Sequence, residues 1–398
     1  MKKVFLLLLT SVFTITIFSQ SDNNNQYQNT AEKLTVSDSK LTIGGYGEVH
    51  YNQVLSNDIR NNGILDVHRM VMFFGYNFSD KTQFVSEVEF EYAKELWVEQ
   101  VYVQHKLNNS INVQAGLMLI PMGIVNLYHE PVTFNGVERP IIDNKIAPST
   151  WREVGVGING NILPLSMKYQ LMLVNGPVSY DGTAGLLNGS KGIREGRQKG
   201  SKSYMSSPNL AGRLEYFGLS GLNLGLSGYY GKSQSKLYDK ISLSNTAALA
   251  KADSSVVDIA MVGADARYQI GGFQARGQFY YAALGNTDQY NALTRKSGVL
   301  NDLGSSMYGY YVEAGYNVLR RISAMELVPF VRYQQLDTHL TVASNITAKD
   351  KYKEDYITAG LTLKLTPGVV VKTDVDFGKT AVDAARTVTF NAGVGVMF

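Results

Sequence analysis

Cysteine is absent from the 398-residue chain, which excludes a disulfide framework, thiolate metal sites, a redox-active thiol and a lipid-anchored N-terminal cysteine. Charge is sparse, with 18% Asp, Glu, Lys and Arg against about 25% in an average soluble domain. Past residue 20 no run approaches the ~18 apolar residues of a membrane-spanning helix, and mean hydropathy is only -0.10, so a helical membrane protein is excluded. Catalytic signatures are missing as well: there is no G-x-S-x-G elbow and no H-E-x-x-H zinc motif. Gly225 to Ser233 resembles a phosphate-binding loop, but five residues separate its glycines where four are needed, and it sits inside a strand pattern. What is plentiful is glycine (38) and tyrosine (25), a composition that suits β-structure against an apolar surrounding.

Lys2 and Lys3 precede an apolar stretch from Val4 to Phe18, followed by Ser19 and Gln20. This is the pattern of a secretory signal peptide over residues 1–19. The alternative, a buried first helix or strand, does not account for the basic flank or for the polar Asn23 to Asn25 that follow. Residues 20–40 are polar and read as a flexible N-terminal segment. Without Lys2 and Lys3 the chain carries 35 basic residues against 34 acidic ones, a balance that predicts no partner by global charge and no nucleic acid.

From residue 41 to Phe398 the sequence alternates with period two. Val369, Val371, Thr373, Val375 and Phe377 face one way, and Lys372, Asp374 and Asp376 the other. Sixteen such segments start near residues 41, 65, 82, 96, 111, 153, 165, 207, 222, 256, 273, 307, 326, 355, 369 and 387. Tight turns at 79–81, 108–110, 161–164, 218–221, 271–272 and 367–368 alternate with mostly longer polar loops. Short turns at one end and long loops at the other mark a transmembrane barrel, and an even strand count suits it. The expectation is an all-β protein, a transmembrane antiparallel β-barrel of one domain over 41–398. Its closure is enforced because lipid satisfies no backbone hydrogen bond.

Reversed patterning places polar rows in the lumen: Glu87, Glu89 and Glu91; Arg213 with Glu215; Asp265 with Arg267; Arg276 with Gln278; Arg332 with Gln334; and Lys372 with Asp374. A lumen with this many charges is expected to be wet, since side chains no longer fill a barrel of this size. The glutamate row is either a Ca²⁺ site or a solvated wall paired with basic neighbours, and the second reading is preferred. The five histidines (His50, His68, His105, His129, His339) are scattered, three in strand patterns, with no metal-ligand spacing. No cofactor and no metal site are therefore expected. The loop from Pro121 to Arg152 is long enough to enter the barrel and form a constriction; Glu130, Glu138, Arg139, Arg152 and the adjoining Glu153 are its candidate charges. The loop over 176–206 carries Lys191, Arg194, Arg197, Lys199 and Lys202. It is either a positive mouth that gathers anions or a solvated loop that meets lipopolysaccharide phosphates.

Four segments, GYGEVHYN (Gly45 to Asn52), EVEFEYA (Glu87 to Ala93), PMGIVNLYHEPVTFNGVERP (Pro121 to Pro140) and TWREVGVGI (Thr150 to Ile158), resemble the phosphate-selective porin O and P family. The resemblance is dense over 41–215 and weaker beyond. It implies a sixteen-stranded outer-membrane porin of a Gram-negative bacterium, a homotrimer, through which small hydrophilic solutes diffuse. That family's anion specialists use a ladder of arginines and a cluster of lysines. Here eight inward basic positions (Arg69, Lys168, Arg213, Arg267, Arg276, Arg332, Lys364, Lys372) meet nine acidic ones (Glu48, Glu87, Glu89, Glu91, Glu215, Asp265, Glu313, Asp374, Asp376), which is no ladder. The expectation is a passive channel with weak anion preference, not an enzyme. The partners expected are outer-membrane lipid, lipopolysaccharide and, through Phe398, the barrel-insertion machinery. A barrel enzyme of lipase or protease type and a plugged structural or adhesion barrel are the alternatives.

Overall fold

The computed structural model describes Ala31, Lys33 and residues 39–56 and 58–398. The signal peptide and most of the N-terminal segment lie outside the described residues; Ala31 of that segment is buried against the inner wall. Period-two alternation becomes sixteen strands: β1 (Leu41–Leu55), β2 (Ile64–Asn77), β3 (Thr82–Glu91), β4 (Glu95–Lys106), β5 (Asn112–Leu119), β6 (Arg152–Ile162), β7 (Met167–Val174), β8 (Asn209–Leu219), β9 (Leu222–Lys232), β10 (Asp258–Ile270), β11 (Phe273–Gly285), β12 (Ser306–Tyr316), β13 (Glu326–Thr341), β14 (Lys353–Thr366), β15 (Val369–Thr380) and β16 (Thr387–Met397). Each begins within two residues of its expected start. Gly225 to Ser233 lies along β9 and its end, so it cradles no phosphate.

Consecutive strands pair antiparallel, and β1 pairs with β16 from Tyr46 opposite Met397 to Leu55 opposite Val388, closing the barrel. Phe398 extends that seam, exchanging backbone hydrogen bonds with Gly45 at 2.9 and 3.0 Å. Every strand edge is thereby paired, as a hydrocarbon surround demands. The side-chain parity is inverted relative to a soluble sheet: Val371 is 38% exposed while its neighbour Lys372 is 4% exposed. Val156, Leu226, Val262, Val312, Val331 and Leu361 lie exposed in the same sense around the outside, an apolar band for lipid.

The end with tight connections has 78–81, 107–111, 163–166, 220–221, 271–272 and 367–368, with a longer turn at 317–325. The opposite end carries the long loops 120–151, 175–208, 233–257 and 286–305, and also the three-residue link 92–94. Short turns belong to the periplasmic side of such barrels. Loop tips at the far end fold on one another, for example through a two-strand parallel pair of Val178–Tyr180 with Gln234–Ser235.

Two register irregularities matter for the interior. Between β1 and β2 the register shifts at Glu48/Val49, leaving His68 as an extra residue next to Arg69. Between β3 and β4 it shifts at Glu87/Val88, and Glu99 is the extra residue. A bulge of this kind bends the strand and re-aims a side chain. Counted back from the outward Val101 and Val103, Glu99 falls on the lipid side, yet the bulge leaves it fully buried on the inside.

Candidate functional site

The loop between β5 and β6 does not stay outside. It is rich in apolar groups, and Ile120, Met122, Leu127, Phe134, Val137, Ile142, Ile146 and Trp151 are all buried; in water that surface would cost about 25 cal/mol per Å². Several of these side chains join the main interior cluster with Tyr229, Tyr280 and Tyr311 of β9, β11 and β12. Asn126 ties the two stems together: its amide donates to the carbonyls of Ile120 (2.7 Å) and Trp151 (2.9 Å), and its oxygen accepts from the Trp151 amide (2.8 Å). Gly123 has φ +68°, and a β-carbon there would lie 1.8 Å from the Tyr280 hydroxyl, so only glycine lets the loop run along β11.

A loop at this depth cannot leave its backbone unsatisfied, and the polar wall rows supply partners. The amides of Val137 and Ile141 donate to Asp374 (2.7 Å) and Gln334 (2.9 Å), and that of Ile124 to Gln278. Arg332 donates to the carbonyls of Glu138 (3.0 Å) and Asn135 (2.5 Å) and, through Nε, to Glu313 (2.8 Å). Arg276 shares Glu313 at 2.6 Å. Lys372 lies 3.6 Å from the centre of the Phe134 ring and Arg267 lies 4.3 Å from that of Tyr128. Arg213 grips Asp265 with two bonds (2.6 and 2.9 Å) and Glu215 with a third (2.7 Å). Rows expected to form a solvated wall are thus largely consumed in holding the loop and one another.

The constriction candidates divide accordingly. Glu138 and Arg139 border an outer cavity of about 370 Å³, together with Glu48, His50, His68, Arg69, Glu91, Arg194, Arg332, Asp374 and Asp376. Glu138 accepts from Asn52 at 3.0 Å and lies 3.2 Å from the His50 ring; Arg139 donates to the His129 carbonyl at 2.9 Å. Glu130, Arg152 and Glu153 are buried away from that cavity. Arg152 lies 3.8 Å from Glu99 and donates to the Thr150 carbonyl. Glu153 accepts from the Trp151 indole (2.8 Å), the Tyr229 hydroxyl (3.1 Å) and the Gly176 amide (2.9 Å), which makes it an anchor for both loop ends. A second cavity, of about 420 Å³, opens toward the short turns and is lined by Gln83, Gln100, Gln104, Gln114, Asn159 and Lys168 among others. Both cavities are polar.

Four of the five histidines lie in strands, one more than the pattern gave: His50, His68, His105 and His339. The bulge in β2 stacks His68 on His50 with ring centres 4.3 Å apart, a proximity that no sequence spacing announces.

The basic residues of the 175–208 loop fall into two groups. Lys191 and Lys202 point to solvent, whereas Arg194, Arg197 and Lys199 are partly buried. Arg197 donates to the Ser149 carbonyl (2.6 Å) and the Thr150 hydroxyl (3.2 Å), which roofs the constriction loop. Burial, then the neighbouring Arg194 and Arg152, pull the Arg197 guanidinium down to about 9. Burial followed by Arg197 and Arg152 likewise lowers Lys199, whose ammonium sits 4.0 Å from the centre of the Trp97 ring. Burial is the larger cause at both, and repulsion among Arg194, Arg197, Lys199 and Arg152 adds to it.

No family model matches the chain, and the likeness to the phosphate-selective porin O and P family stands as a resemblance. Among solved structures, Salmonella typhi OmpF in complex with daunomycin is 12% identical, with a TM-score of 0.57 over 90% of this chain and 97% of that one. An anion-selective porin from Comamonas acidovorans is also 12% identical, with a TM-score of 0.56 over 90% and 99%. A loop-deleted OmpT, an outer membrane protein of Vibrio cholerae, is 11% identical at a TM-score of 0.55 over 90% and 99%. These establish the fold, a porin-like barrel of the outer-membrane type. A protein of Aquifex aeolicus (strain VF5) described as uncharacterized is 30% identical over 347 residues, 84% of this chain and 74% of its own length. The chain belongs to one family with that Aquifex protein.

Proposed function

We propose that the chain is a general porin, through which small hydrophilic solutes diffuse passively, with a weak preference for anions set at its outer mouth. One observation carries the reading: an apolar exterior encloses polar cavities on both sides of an inward loop whose backbone is tied to the wall. Polar cavities on both sides of the loop suit the passage of hydrophilic solutes better than a filled scaffold does. Anion preference is supported by the cluster of Arg194, Arg197 and Lys199 beside Arg152. Phosphate specificity is not supported, because inward arginines are paired with carboxylates rather than stacked in a ladder. A homotrimer fits the same reading, OmpT of Vibrio cholerae having a trimer form.

Liposomes reconstituted with the folded protein should swell in sugars of graded size and show a cutoff. Absence of swelling with every sugar would remove the porin reading in favour of a plugged barrel or an enzyme.

The lowered Lys199 supplies a pH dependence. A base with a depressed pKa loses its charge at lower pH than an ordinary lysine, so the mouth grows less positive as pH rises toward 10.5, its ordinary value. Reversal potentials in a salt gradient should show anion preference declining over that alkaline range, and earlier than for free lysine. A preference that is flat until pH exceeds the ordinary lysine value assigns Lys199 no part in it.

A further inference from the structure

The bulge in β4 creates a group of side chains that the porin reading does not use. Glu87 of β3, Glu99 of β4 and His129 of the constriction loop converge, with one ligand-type atom from each lying within 4.8 Å of the others. Glu87 and Glu99 are fully buried and His129 is 3% exposed. Nε2 of His129 lies 3.5 Å from Glu87 Oε1 and 3.4 Å from Glu99 Oε2. These separations exceed a good N–H···O bond. They match the edge of a tetrahedron whose ligands each sit about 2.0–2.2 Å from a shared ion, an edge of roughly 3.3–3.6 Å.

The hydrogen bonding points the same way. Both carboxylate oxygens of Glu99, Oε1 of Glu87 and Nε2 of His129 have no hydrogen-bond partner although they are buried, an arrangement that is costly if nothing fills it. Arg152 approaches Glu99 only to 3.8 Å. The atoms facing away from the gap are satisfied. His129 Nδ1 lies 3.3 Å from the Asn126 carbonyl and can donate to it, leaving the Nε2 lone pair directed at the gap. Gln100 donates to Glu87 Oε2 at 2.7 Å. A histidine oriented by a carbonyl and a carboxylate held by an amide are the outer contacts that metal ligands carry.

We propose that Glu87, Glu99 and His129 form a buried divalent-cation site of the Zn²⁺ class that pins the constriction loop to the barrel wall. One imidazole and two carboxylates suit Zn²⁺ rather than Ca²⁺, which takes six to eight oxygens. Two carboxylates, a neutral imidazole and a dication sum to zero charge, and two further groups facing Glu99, Glu89 and Arg152, are of opposite sign. The loop, held on its other flank by Arg332, is fixed on this flank by the ion.

The test uses the full-length folded barrel in detergent, stripped with a chelator and dialysed against Zn²⁺ or Co²⁺ alone. Elemental analysis should find one metal ion per chain, and Co²⁺ should give the intense visible absorption of a tetrahedral N/O site. Glu99→Gln and His129→Gln, both close in shape to the native residues, should weaken binding by more than about tenfold and abolish the cobalt band. Asp239→Asn, on an exposed loop, should change neither. Heat-modifiable migration on gels establishes that each variant is folded; if one is not, the unmodified protein decides alone. No stoichiometric zinc or cobalt in the unmodified barrel overturns the proposal and leaves the three groups as an ion-paired cluster. Full binding by folded Glu99→Gln overturns it equally.

Discussion

Arg332→Ala is expected to give a barrel with a loosened constriction, a higher single-channel conductance with added noise, and a markedly lower temperature of heat modification. The guanidinium is 2% exposed and reaches three groups at once: the Glu313 carboxylate and the carbonyls of Asn135 and Glu138. Truncation strands two loop carbonyls and half-strips a buried carboxylate. Breaking a buried charge pair costs about 3–5 kcal/mol, and the low end applies because Arg276 remains on Glu313. Arg332→Lys should recover little, since an ammonium lacks the planar fork that spans carboxylate and carbonyls together. Planar-lipid recordings and gel migration after graded heating measure both effects. Conductance and heat modification unchanged in Arg332→Ala would mean the loop is held elsewhere, by the Asp374, Gln334 and Gln278 contacts alone.

That Arg332 faces the lumen was legible in the sequence, because parity in β13 is unbroken from Val331 to Gln335. What it touches was not. Period two reports a face, whereas partners depend on register and on a loop whose path is set by packing that no local pattern encodes. Many of the wall groups are spent on the loop and on one another, while Glu91, Arg332 and Asp374 also border the outer cavity. Arg152 and Glu153 illustrate the second limit: both belong to the loop's end in sequence, yet one lies beneath the 175–208 loop and the other is an internal anchor. Bulges supply a third. One extra residue reverses parity for everything beyond it, so strict alternation places neither Glu99 beside Glu87 nor His68 beside His50. A hint existed: apolar Leu96 and Val98 keep one parity and Val101 and Val103 the other, a break that a bulge at Glu99 accounts for.

Replacing Arg194, Arg197 and Lys199 together by glutamine is expected to convert weak anion preference into cation preference. The outer cavity is bordered by six carboxylates (Glu48, Glu91, Glu138, Asp143, Asp374, Asp376) and four guanidiniums (Arg69, Arg139, Arg194, Arg332). On that lining alone acids are in excess. Arg69 and Arg332 are paired with carboxylates, Glu48 at 2.9 Å and Glu313 at 2.7 Å, whereas Arg139 and Arg194 donate to the neutral carbonyls of His129 and Asn144. On the proposed reading, the positive field that an entering ion meets comes from Arg194 on the cavity lining together with the partly buried Arg197 and Lys199 of the same loop. Their influence reaches about one Debye length, ~8 Å at physiological salt and ~30 Å at 0.01 M, so the change in reversal potential should be largest in dilute electrolyte. Single substitutions should each give part of the shift, Arg197→Gln with some loss of order in the 175–208 loop because its bonds to Ser149 and Thr150 go with it. Arg139→Ala, which exposes Glu48 to the cavity, should push the same way and add to the triple change. An unmodified protein that is already cation-selective at low salt, or a triple variant that keeps its anion preference, would show that selectivity is set by the paired charges of the wall and not at the mouth.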